Sequence, residues 1–225
     1  AWDLFYLPAH PGAGKLLETA DVEHYWDSTT YNYTYYKRSG ETEQRSKTGY
    51  DAVVQFPFGY GLSYTNFDWE IDTENLSLAN NSVINEDTQI TVPVKVTNTG
   101  TVAGRDVVQI YLTAPYTTGE IEKSAVQLVG FAKTPMINPN ESATVNVKID
   151  TNDFKSFDEY DKNSNDFKGY ELEAGDYVLT LRTDSHTIKG SNAGDYTLTY
   201  RVTNDIKIET DRETGNVVKP LLSGS

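Results

Sequence analysis

The stretch Ile90-Thr91-Val92-Pro93-Val94-Lys95-Val96-Thr97 decides the fold. Its aliphatic residues recur at every second position, with Thr91, Pro93, Lys95 and Thr97 between them. A period of two puts successive side chains on opposite faces of an extended chain, so one row meets a core and the other meets water. A helix would need its apolar residues three and four apart. Outward from this stretch the pattern repeats. Upstream, Phe67, Trp69 and Ile71 alternate with Asp68 and Glu70. Downstream, the sets Val108/Ile110/Leu112, Val145/Val147/Ile149, Tyr177/Leu179/Leu181 and Tyr196/Leu198/Tyr200 each share a face.

Turn residues separate these runs. Asn98-Thr99-Gly100, Pro139-Asn140-Glu141 and Glu173-Ala174-Gly175-Asp176 stand just where the alternation breaks. About seven short strands with such punctuation predict an all-β fold, an antiparallel β-sandwich of fibronectin type III or immunoglobulin style. The first 60 or so residues differ. His10 to Gly14 is loop-like, Lys15 to Glu23 could support a short helix at most, and Ser39 to Gly49 is polar with mixed charge. This part holds too few periodic apolar residues for a core of its own, and a largely irregular N-terminal extension is expected. Beyond Asn204 one more candidate strand, Ile206 to Ile208, precedes a polar turn at Asp211 to Gly215.

Composition narrows the function. Of 225 residues, 33 are acidic and 19 basic, a formal charge of −14. That excess argues against nucleic acid, which needs a basic face to displace counterions, and against an anionic membrane surface. No apolar run approaches the roughly 20 residues needed to cross a bilayer. Cysteine is absent, which excludes disulfides and thiolate chemistry. The chain opens on Ala1, its one methionine is Met136, and no charged-then-apolar leader begins it, so it reads as a piece of something longer.

One segment carries a family signature. Gln55-Phe56-Pro57-Phe58-Gly59-Tyr60-Gly61-Leu62-Ser63-Tyr64-Thr65 resembles the junction that, in glycoside hydrolase family 3, joins an α/β domain to a fibronectin type III-like domain. Val94 to Gly100, Gly104 to Tyr111, Lys123 to Lys133 and Asn138 to Ser142 resemble successive parts of that accessory domain. The resemblance implies a domain order of 1–64 as extension and junction from a preceding α/β domain, 65–204 as the sandwich, and 205–225 as a linker. Glu173 to Tyr177, Thr183 to Thr187 and Asp211 to Val218 resemble the rearranged subgroup in which the barrel domain follows. It further implies a parent that is a retaining β-glucosidase or β-xylosidase, with the catalytic domains of that parent as partners. Phe56, Pro57, Phe58, Gly59, Tyr60, Gly61 and Leu62 are then domain-junction residues, the two glycines permitting tight turns between aromatic anchors.

Catalytic chemistry finds no home in the residues. A retaining pair needs two carboxyl groups about 5 Å apart across a sugar ring. The Ser-Asp-Trp context of the family's nucleophile does not occur here, since Asp68-Trp69 follows Phe67 on a predicted strand. The carboxylates fall on outward strand positions and turns, and no catalytic residue is assigned. The three histidines, His10, His24 and His186, have no metal-ligand spacing, and Asp184-Ser185-His186 are sequence neighbours on a turn rather than a convergent triad. Asp161, Asn163, Asn165 and Asp166 suggest a calcium loop, but the sixth position lacks glycine and the twelfth is Leu172, so the stretch reads as a polar hairpin loop. No metal and no cofactor are expected. Tyr25, Trp26, Tyr31, Tyr33, Tyr35 and Tyr36 form an aromatic cluster, and Trp26 with the last four tyrosines is the candidate carbohydrate surface. A β-linked oligosaccharide is thus a second candidate partner, although packing against a neighbouring domain is the preferred account.

Overall fold

A computed structural model describes residues 56–218, together with the backbone of 24–27 and 32–35. The chain divides into two units between Phe58 and Gly59, inside the junction stretch. In the first unit, β1 (His24–Asp27) and β2 (Asn32–Tyr35) form an antiparallel hairpin, with Trp26 opposite Tyr33 and His24 opposite Tyr35. The sequence reading does not predict this hairpin: Tyr33 and Tyr35 alternate with Asn32 and Thr34 in β2, but His24-Tyr25-Trp26-Asp27 in β1 shows no alternation.

The second unit is the sandwich. One sheet is β3 (Phe67–Ile71), β4 (Gln89–Asn98) and β7 (Ser142–Asp150). The other runs β11 (Thr197–Val202), β10 (Gly175–Arg182), β5 (Val107–Thr113) and β6 (Gln127–Lys133). All these pairings are antiparallel, and the chain crosses between sheets from β4 to β5 and from β6 to β7. A third, small sheet joins β8 (Ser156–Asp158), β9 (Gly169–Leu172) and β12 (Ile206–Ile208), so the predicted tail strand is paired and β8–β9 is the predicted polar hairpin.

The alternating rows meet in the middle. Val92, Val94, Val96 and Val147 from one sheet, and Val108, Ile110, Leu179 and Leu181 from the other, are fully buried. Burying such an aliphatic side chain contributes about 1.5–3 kcal/mol, which makes these two inner faces the main source of stability. Gly130 lets the sheets approach, since a Cβ there would sit 2.8 Å from Val147 Cγ1. The β5–β6 register shifts beside it, between Ile110 and Tyr111.

Two readings of polarity need correction. Pro93, expected in the outward row, is buried. Its carbonyl accepts from Asp72 N at 3.0 Å, so its imide nitrogen faces the place where β3 ends and no ladder bond is lost. Asp158, Glu171 and Asp184 are buried as well, against the expectation that carboxylates lie outward. Glu171 sits opposite the core-facing Leu172 on β9, and the loop between β8 and β9 folds back over its face.

Candidate functional site

The junction stretch ends as a strap, Gly59 to Asn66, laid along the edge of the sandwich. It borders a groove of about 660 Å³ whose floor includes Trp69, Asp106, Gln109 and Lys189. Polar side chains of the strands hold the strap by its backbone and by one hydroxyl. Gln109 Nε2 donates to Gly59 O at 2.9 Å and to Thr183 O at 3.2 Å. Tyr111 Oη donates to Gln109 Oε1 at 2.8 Å and thereby sets the amide's orientation. Burial pushes the Tyr111 phenol above its ordinary range, helped by the Asp184 charge, so it remains a donor.

Gly59 is required where it stands. Its φ is +83°, and an added Cβ would lie 2.3 Å from Tyr111 Oη and 2.4 Å from Gln109 Oε1. Gly61 is different: it does not have a positive φ, and a Cβ there meets nothing within 4 Å. Only the first of the two predicted glycine roles therefore has a steric cause.

At the other end of the strap Asn98, 0% exposed, closes β4. Its Oδ1 accepts from Thr65 Oγ1 at 2.7 Å and Gly100 N at 3.0 Å, and its Nδ2 donates to Val102 O at 2.8 Å and Ile137 O at 2.9 Å. All four bonding capacities of a buried amide are used, which fixes strap, turn and neighbouring loop together. Beneath lies Trp69, whose Nε1 donates to Asp106 Oδ2 at 2.7 Å. Lys189 Nζ stands 4.8 Å from the Trp69 ring centroid and donates to Phe67 O at 2.6 Å. Burial lowers the Lys189 pKa, while Asp106 and Asp68 pull it back up.

The strap turns its large side chains outward. Leu62 is 86% exposed, Tyr64 fully exposed and Tyr60 44% exposed, and Phe131 on β6 beside the groove is 67% exposed. Phe56 and Phe58, in the preceding unit, are also exposed. The face combines backbone clamped by buried polar groups with apolar surface directed away from the sandwich. Single apolar residues on a surface are ordinary, but a set around one groove marks a place for contact.

Other expected sites fall as follows. Trp26, Tyr33 and Tyr35 lie on the β1–β2 hairpin, while Tyr31 and Tyr36 lie outside the described residues. Asp68 is on an outward position of β3, where its Oδ1 accepts from Trp69 N. Asp184 Oδ1 accepts from the backbone N of His186 at 2.8 Å and Thr187 at 2.9 Å, which makes the Asp-Ser-His sequence a side-chain-closed turn. Among the described residues no three His, Cys, Asp or Glu side chains converge as metal ligands. Nor does any helix there have the length and apolarity to cross a membrane. Sequence reasoning missed the roles of Gln109 and Asn98, although both stand in stretches quoted above for their family likeness.

Comparison with known proteins agrees with this architecture. Residues 106–185 match the family described as "Fibronectin type III-like domain". A β-glucosidase of Ruminococcus albus is 34% identical over 189 residues, 84% of this chain and 17% of that protein. β-Glucosidase A of Butyrivibrio fibrisolvens is 30% identical over 210 residues, 90% of this chain and 23% of that protein. A solved β-glucosidase from Paenibacillus barengoltzii superposes with a TM-score of 0.55 at 33% identity, over 69% of this chain and 16% of that one. The chain spans between 16% and 23% of the length of these relatives.

Proposed function

We propose that this chain, which carries the fibronectin type III-like domain of glycoside hydrolase family 3 β-glucosidases, is a structural module inside a larger enzyme of that family. Its work is to hold the catalytic domains in a fixed relation and to stabilise them, not to perform chemistry. The observation that carries this reading is the strap: Gln109 holds it at the Gly59 carbonyl and Asn98 at the Thr65 hydroxyl, while Leu62 and Tyr64, with Phe131 beside the groove on β6, are presented outward. An interface anchored on rigid aromatic and aliphatic side chains gains contact area at low entropic cost. In the same reading residues 1–64 complete a preceding α/β domain, 65–204 form the module, and 205–225 lead on to a further domain. The parent would then hydrolyse terminal β-linked glucose or xylose with retention, using a catalytic pair outside this chain.

Three experiments test the reading. The 225-residue chain alone should not turn over nitrophenyl β-glucoside or β-xyloside. Turnover lost on mutating one of its carboxylates would overturn the module assignment. In a parent enzyme, Leu62→Lys with Phe131→Lys should lower Tm and activity while leaving the stability of the isolated chain unchanged. A parent that keeps both after deletion of 65–204 would sink the stabilising role.

A further inference from the structure

Buried polar groups in a folded chain are bonded almost without exception, so an orphan marks a missing partner. Among the described residues three buried side-chain atoms have none: Asn163 Oδ1, Asn165 Oδ1 and Glu171 Oε1. They belong to one cluster. Glu171 Oε2 accepts from Asn163 Nδ2 at 3.1 Å and from Asn165 Nδ2 at 2.6 Å, so each side chain is held by one polar atom and has one oxygen left over. Glu171 itself is 0% exposed. With Glu171 ionised, all three remaining atoms are acceptors and none can satisfy another. Burial, the largest influence, raises the Glu171 pKa and so disfavours that charge unless a cation is bound. Exchanging O and N in either amide only turns its oxygen toward the Glu171 carboxylate.

Three nearby lysines are engaged elsewhere. Lys207, the register partner of Glu171, donates to the backbone oxygen of Asn165 at 2.7 Å. Lys123 pairs with Glu173, and Lys155 donates to Asn152 Oδ1 at 3.2 Å. Asp158, 1% exposed, accepts from Tyr160 N at 2.9 Å and Lys162 N at 2.6 Å. Among the described residues neither Glu171 nor Asp158 has an ion-pair partner. Two buried carboxylates without a countercharge are costly, and a bound cation removes that cost.

We propose that the β8–β9 loop is a calcium site in which Asn163 Oδ1, Asn165 Oδ1 and Glu171 Oε1 are ligands. Amide and carboxylate oxygens on an irregular loop suit calcium, which accepts six to eight such ligands in flexible geometry, better than magnesium, which demands near-ideal octahedra. The two departures from a calcium-loop pattern are both answered by the structure. Asp166 occupies the sixth position with φ 61°, the left-handed conformation glycine would otherwise supply. The acid stands at Glu171, one residue before Leu172, and β9 carries it into the loop. Two of the three ligands are amides, so no cluster of His, Cys, Asp and Glu announces the site.

The test uses the full chain, freed of metal with EDTA and then titrated with calcium. Tm should rise by about 3 °C or more once calcium exceeds its Kd tenfold. Terbium should bind the same loop, show luminescence sensitised by Tyr160 or Tyr170, and be displaced by calcium. Glu171→Gln should abolish both signals. Asn163→Ala and Asn165→Ala, on the half-exposed loop, should each weaken calcium by roughly tenfold or more and cover the case in which the first variant does not fold. No change in Tm with calcium, an equal rise with magnesium, or calcium binding that survives Glu171→Gln would each overturn the proposal.

Discussion

Asn98 and Glu171 are both polar, both 0% exposed, and treated in opposite ways. Asn98 spends every donor and acceptor on partners within the chain. Glu171 keeps one carboxylate oxygen, and its two amide neighbours keep one oxygen each, without any. The difference teaches how a buried polar group reports its role. A saturated one welds segments together, here the strap to the β4 end. An unsaturated one without a countercharge is open to a partner that comes from outside.

Substitution should separate the two sharply. Asn98→Leu deprives Thr65, Gly100, Val102 and Ile137 of partners at once, and a loss of about 3 kcal/mol is expected from the midpoint of urea unfolding. A loss below about 1 kcal/mol would mean that the strap end is held by packing alone. Gly59→Ala tests the other end of the strap. Its positive φ and the approach of Tyr111 Oη predict a cost of about 2 kcal/mol, with faster proteolysis near the junction. Unchanged stability there would show that the strap readily shifts.

Glu171→Gln should do the reverse of Asn98→Leu. Without calcium it removes a buried charge and supplies N–H donors to the orphan amide oxygens, so stability should hold or rise by about 1 kcal/mol. A large loss in EDTA would make Glu171 a second Asn98 and erase the contrast.

The smallest effect belongs to the tail. Arg212 Nη1 donates to Asp150 Oδ1 at 3.1 Å, its Nη2 pairs with the other oxygen, and the Asp150 carboxyl is held at about 2 against 3.8. A depressed folded pKa means that this contribution is present above pH 3.8 and fades as pH falls toward 2. The guanidinium is 39% exposed, so screening keeps the effect small. Arg212→Ala should cost about a degree of Tm at pH 6 and much less near pH 2. Equal losses at both pH values would assign the tail's attachment to β12 pairing instead.

Much of the fold was legible because burial and period coincide. Val92, Val94 and Val96, like Leu179 and Leu181, face one buried layer, and alternation records that directly. The hairpin β1–β2 was not legible, since β1, His24-Tyr25-Trp26-Asp27, offers no alternation to match that of Asn32-Tyr33-Thr34-Tyr35. Pro93 misled because a proline's tolerance depends on where the adjacent strand stops, which the residue itself does not state. At the junction, the glycine–aromatic motif was visible in sequence, but Gln109 and Asn98 act through partners 50 and 33 positions away. The calcium-loop pattern is half visible in sequence, which lacks both the sixth-position glycine and the twelfth-position acid; that Asp166 takes a positive φ and that Glu171 stands on β9 beside the loop are facts of the folded chain alone.

By itself the sequence determined that this chain is an antiparallel sandwich, which strands face its core, and which family its junction resembles. These rest on local chemistry: side-chain period, turn residues and a contiguous motif. Only the tertiary structure decided which buried polar groups are satisfied, because a hydrogen bond's second partner comes from a distant strand. That long-range pairing is what distinguishes the clamp at Asn98 from the open oxygens at Glu171.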